Sequence, residues 1–83
     1  MKAKMINDDY IDLVPGYEYE VARVYSPGYD YIKLKHSPRK YDIRSFEITR
    51  NGKVLNRQEA YRQYIYESAM KKIGLKKGAQ YNG

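Results

Sequence analysis

The chain has 83 residues and a mass of 9.9 kDa, which leaves room for one small domain. It contains no cysteine, so a disulfide framework, a thiolate nucleophile and a Cys-based zinc site are excluded. A hydrophobic share of 42%, a charged share of 31%, 11 Tyr and a net charge of +6 describe a basic, tyrosine-rich globular chain with a thin core, not a disordered tail.

Lys2 to Ile6 alternates polar and apolar residues and suits a short strand. Asn7-Asp8-Asp9 and Val14-Pro15-Gly16 are turn signals. Tyr17 to Tyr25 is the strongest strand pattern, rich in aromatic and β-branched residues. Tyr17, Tyr19 and Val21 share one face, and Glu18 and Glu20 share the other. The alternation breaks at Ala22, which predicts a one-residue bulge near Val21–Ala22 or burial of both faces. Ser26-Pro27-Gly28 is a turn, and Tyr29 to Lys35 is a second strand with Ile32 and Leu34 facing in. Residues 36–40 form a polar, basic loop, followed by short strands at Tyr41–Ile43 and Phe46–Arg50. Asn51-Gly52 predicts a type I′ hairpin turn with Lys53–Leu55 as the return strand.

The pattern then changes. Asn56 followed three residues later by Glu59 fits a capping box. Residues 57–73 hold no Gly or Pro, and Tyr61, Tyr64, Ile65, Ala69 and Ile73 fall on one helical face. That face is expected to pack on the strands. Gly74 is read as the helix stop, with Leu75 folding back onto Met70. The expected organisation is a barrel over residues 1–55, a helix over 56–75 and a flexible tail over 76–83.

The segments Lys2-Ala3-Lys4, Gly16-Tyr17-Glu18-Tyr19-Glu20-Val21, Tyr29-Asp30-Tyr31-Ile32 and Tyr41 through Phe46-Glu47 carry a resemblance. They look like the small SH3-like barrel proteins of phages and bacterial mobile elements, over roughly residues 1–50. The helix after residue 56 is additional to that pattern. The resemblance implies an SH3-like barrel for the antiparallel strands, and with the helix read from the capping box and periodicity the expected fold is α+β: a β-barrel of four to five strands followed by one C-terminal helix. It also implies a recognition scaffold and supplies no catalytic residues.

Charge is divided unevenly along the chain. Residues 1–32 hold three basic and six acidic groups, and residues 33–83 hold thirteen basic and four acidic ones. A basic second half attracts a polyanion. Tyr31, Lys33, Lys35, Arg39, Lys40, Tyr41 and Arg44 mix cations with aromatic rings over one strand–loop–strand unit, as grooves for nucleic acid do. Arg57, Arg62, Lys71, Lys72, Lys76 and Lys77 extend a basic strip along the helix. The same Tyr and Arg content suits a protein interface.

Catalytic readings lack parts. His36 is the single histidine and stands beside Ser37, where neighbours rarely point at each other. Asp8, Asp9 and Asp12 do not have the spacing of an EF-hand loop. The expectation is therefore a non-catalytic, cytoplasmic binding protein without cofactor or metal. No membrane association and no small-molecule substrate are expected. Its first expected partner is nucleic acid or nucleic-acid-bound machinery, served as an accessory of a phage or mobile element. The alternative is a phage-encoded ligand that inhibits or redirects a host protein.

Overall fold

The computed structural model describes the backbone of residues 1–81 and the side chains of residues 1–73. Six strands and one helix follow in order: β1 (Lys2–Met5), β2 (Glu18–Val24), β3 (Tyr31–Leu34), β4 (Lys40–Asp42), a 3₁₀ turn (Ile43–Ser45), β5 (Phe46–Arg50), β6 (Lys53–Leu55) and α1 (Arg57–Tyr81). The strands form one antiparallel sheet in the order β4-β3-β2-β1-β5-β6. This sheet is not closed, because β4 and β6 remain at its two edges. The expected barrel of four to five strands is thus an open sheet of six, since both short segments, Lys40–Asp42 and Lys53–Leu55, find partners.

β2 joins the two halves of the sheet. Glu18–Glu20 pair with β1, and the stretch from Val21 to Val24 pairs with β3. Between them the register slips, with Val21 opposite Leu34 but Arg23 opposite Lys33, so Ala22 is the extra residue of the predicted bulge. The bulge inverts the phase of the strand. Val21 and Val24 both face the core, and Arg23 between them faces solvent.

The core is built from the inward residues of each strand: Ala3, Met5, Val21, Val24, Ile32, Leu34, Tyr41, Phe46 and Ile48, closed by Leu13 and Ile43. Full burial of a side chain of this kind contributes about 1.5–3 kcal/mol, so a few such positions hold a domain this small. The Asn51-Gly52 turn has φ values of 53° and 80°, the left-handed pair that a type I′ hairpin requires.

The capping box also forms. The Asn56 side chain accepts from the Glu59 amide at 2.9 Å, and the Glu59 carboxylate accepts from the Asn56 amide at 3.0 Å. Ala60 is fully buried, and Tyr61 and Tyr64 pack half-buried against the core. The Arg50 guanidinium donates to Glu67 at 2.9 Å, and the Gln63 amide donates to the same oxygen at 2.7 Å. Burial pulls the Glu67 carboxyl upward, but these two hydrogen bonds outweigh it and hold the group below its usual range. From Ala69 to Ile73 every helix residue is exposed, so only the first turns of the predicted face dock on the sheet.

The helix backbone also passes Gly74 and runs to Tyr81, where a stop and a flexible tail were expected. An interior glycine costs only about 1 kcal/mol relative to alanine, and the residues after it are mostly good helix formers. The expected Leu75–Met70 contact and the Lys76 and Lys77 side chains lie outside the described residues, as do Asn82 and Gly83.

Candidate nucleic-acid interface

The outward row across β2, β3 and β4 reads Arg23, Lys33, Lys40. Lys33 lies opposite Arg23 on one side and opposite Lys40 on the other. None of the three has an acidic partner within ion-pair distance among the described residues. Like charges placed directly opposite on a sheet cost stability, roughly 0.2–1 kcal/mol per pair. A bound anion relieves that repulsion.

Aromatic rings hold two of these cations in place. The Arg23 guanidinium lies 4.7 Å from the Tyr25 ring centre. The Lys40 ammonium sits 5.4 Å from the Tyr25 ring and 5.7 Å from the Tyr31 ring. Each such contact is worth about 0.5–1 kcal/mol at an exposed site. The tyrosines themselves meet edge to face at 6.4 Å. Beside them a cavity of about 380 Å³ opens between the β2–β3 connection and α1. Tyr29, Tyr61, Tyr64 and Ile65 line its far side.

The connection is rigidly built. The Tyr29 amide donates to the Ser26 carbonyl at 3.0 Å, with Pro27 second and Gly28 third in the turn. The φ of 108° at Gly28 suits the type II turn, which needs a left-handed third residue. Asp30 then pairs with Arg57 at the start of α1 and lies 4.0 Å from Arg44. One wall of the cavity is thereby tied to the other.

The structure gathers Tyr31, Lys33 and Lys40 of the expected site and disperses the rest. Tyr41 is fully buried, so its assignment as a binding residue is corrected. Its ring meets Tyr10 edge to face at 4.9 Å, and its hydroxyl donates to Asp12 at 2.7 Å. Burial and the neighbouring carboxylate both push that hydroxyl up, while the hydrogen bond holds Asp12 below its usual range. Arg39 is also a structural residue. It donates to Asp12 at 3.2 Å and covers the Tyr10 and Tyr41 rings.

Arg44 is neutralised by Asp42 through two side-chain hydrogen bonds at 3.0 and 2.7 Å. Lys35 lies 4.0 Å from Glu20, which also pairs with Lys2. It belongs to a different cleft, with Tyr17, Tyr19 and His36. Arg62, Lys71 and Lys72 are exposed on α1. Lys71 lines a shallow cleft with Lys35 and Val21, apart from the row of three. Arg57, read as part of the helix strip, is held by Asp30. Comparison with models of known protein families, with curated proteins and with solved structures finds no match.

Sequence reasoning missed Arg23 and Tyr25. The signal was present: once a bulge is placed at Ala22, the next residue changes face, and Arg23 joins the outward row with Lys33. Tyr61 and Tyr64 were read as packing residues, which they are, but they also form a wall of the cavity.

The Asp42–Arg44 pair makes a pH-dependent contribution to stability. Hydrogen bonds from the Arg44 side chain and backbone amide hold the Asp42 carboxyl down at about 2, against an ordinary 3.8. A depressed carboxylate stabilises the fold above its unfolded value, and that stability is lost as pH falls through the folded value. With Arg44 largely in solvent, screening keeps the effect small. Urea titrations from pH 5 to pH 2 are expected to show that loss in the native chain. Asp42→Asn, which keeps an acceptor for the Arg44 amide, is expected to show a flatter profile.

Proposed function

We propose that this protein is a non-catalytic binding protein that engages nucleic acid through the β2–β3–β4 face. The carrying observation is the row Arg23, Lys33 and Lys40, unpaired among the described residues and bordered by tyrosines. Cations that track phosphates beside rings that stack on bases are the shared chemistry of such surfaces. In this reading the sheet is an SH3-like barrel left open between β4 and β6, and the chain is a cytoplasmic accessory of a phage or mobile element. Its central β1, flanked by β2 and β5, and the 3₁₀ turn before β5 support the barrel-like arrangement. Among the described residues no helix is long and apolar enough to cross a membrane.

The test is a fluorescence titration of labelled DNA and RNA at stepped salt. Three phosphate contacts give a slope of log K against log salt between about −2 and −3. Absence of binding at low salt overturns the reading.

A second reading, a ligand that inhibits or redirects a host protein, is favoured by one feature. Ile65, Tyr66, Met70 and Ile73 are all exposed along α1. Apolar side chains grouped in this way mark protein contacts. A pull-down that keeps one stoichiometric partner after nuclease treatment supports this alternative, and one emptied by nuclease excludes it.

A further inference from the structure

We propose that the cavity between the Ser26–Asp30 connection and α1 receives a single unpaired nucleobase, so that the preferred ligand is single-stranded. The base lodges among Tyr29, Tyr61 and Tyr64, while the flanking phosphates lie on Arg23 and Lys40. This rests on the nucleic-acid reading above and adds the strand state and the seat of one base.

Nine of the eleven tyrosines fall into two sets, with Tyr66 exposed on α1 apart from both and the Tyr81 side chain outside the described residues. Tyr10, Tyr41, Tyr17, Tyr19, Tyr25 and Tyr31 meet other rings, and Tyr25 and Tyr31 are further covered by cations. Tyr29, Tyr61 and Tyr64 line the cavity yet make no ring–ring or cation–ring contact among the described residues. Tyr29 is exposed, and Tyr61 and Tyr64, packed half-buried against the core, present the rest of their surface to the cavity. Tyr29 is 61% exposed although it sits on a tightly bonded turn. A rigid aromatic residue held in solvent loses little entropy when a ring stacks on it.

The size and charge fit the same ligand. About 380 Å³ accommodates one heterocycle and falls at the small end of ligand sites. The cations stand at one side of the cavity, with Arg23 and Lys40 among its lining residues. In a nucleotide the sugar links the base to its flanking phosphates, so a ring in the recess and anions at its rim are both supplied by one unit of the strand. The Ser26 side chain and the tyrosine hydroxyls offer hydrogen bonds to a base edge. A duplex keeps its bases stacked inside and presents no ring to such a recess. The Asp30–Arg57 pair bridges the connection and the start of α1 before any ligand arrives.

The experiment measures anisotropy with three labelled probes of about twelve nucleotides: a thymine strand, the same backbone with abasic sites, and a duplex. The thymine strand is expected to bind about tenfold tighter than the abasic one, the worth of one stacked base. Tyr29→Ala, at an exposed ring without aromatic partners, is expected to remove that difference, and a tenfold preference that survives the change overturns the seated base. Equal, salt-dependent binding of thymine and abasic strands overturns the seated base and leaves the phosphate-binding face standing. Tighter binding of the duplex overturns it likewise. Failure of all three probes to bind removes the nucleic-acid reading itself.

Discussion

Arg23→Glu, Lys33→Glu and Lys40→Glu together are expected to lower nucleic-acid affinity by about 100-fold or more and leave the domain folded. Three attractive phosphate contacts are replaced by three repulsive charges, and each 1.4 kcal/mol is tenfold in affinity. Folding is expected to survive because these residues face outward and take part in no ion pair among the described residues. The row trades one like-charge arrangement for another, so its own repulsion is similar before and after. The same change of total charge at Lys53, Lys71 and Lys72 separates location from bulk attraction. All three are exposed and lie on β6 and the outer helix. Anisotropy at fixed salt reads both variants. An equal loss in the two would show that total charge, and not the β2–β3–β4 face, governs binding.

Tyr41→Ala is expected to unfold the protein at room temperature, whereas Tyr41→Phe keeps it folded and leaves ligand affinity unchanged. Removing a buried aromatic side chain costs about 3–5 kcal/mol. A small domain has a total stability near the lower end of about 5–15 kcal/mol. Tyr41 has no exposed surface, and its ring touches both Tyr10 and Phe46. Phenylalanine fills the same space and loses only the hydrogen bond to Asp12, worth about 1 kcal/mol. Asp12 keeps Arg39 as a partner. Circular dichroism and urea unfolding check the stability arm. A Tyr41→Phe protein that folds but binds weakly would return Tyr41 to the interface.

Much of the fold was legible because its signals are local. The positive φ values at Asn51 and Gly52, the capping box of Asn56 and Glu59, and the bulge at Ala22 each follow from a few adjacent residues. The inward positions of Ile32 and Leu34 follow from alternation alone. Whether a sheet closes depends on curvature summed over six strands, and no short motif carries that. The end of α1 was misplaced because a glycine stop competes with propensity on both sides, and here the helix continues.

The site was legible in part. Tyr31 and Lys33 lie on a strand whose alternation was clear, whereas Lys40 was read in the loop and is in fact the first residue of β4. Arg39, Tyr41 and Arg44 have suitable chemistry, but their partners, Asp12 and Asp42, are met only through the loop after β1 and the 3₁₀ turn. Side-chain type distinguishes poorly between a cation that waits for a ligand and one already satisfied. Tyr29 and Tyr64 are more than thirty residues apart, and their meeting around one cavity is purely tertiary.

The surplus residue at Ala22 stands outside the ladder, so the partners on β3, and not strict alternation along β2, decide which side chains reach the face. Its own side chain is exposed, so many amino acids would serve there. Losing that one codon would leave Val21 inward, Arg23 outward and Val24 inward, opposite Leu34, Lys33 and Ile32, so a shortened strand would keep both the core and the cation row.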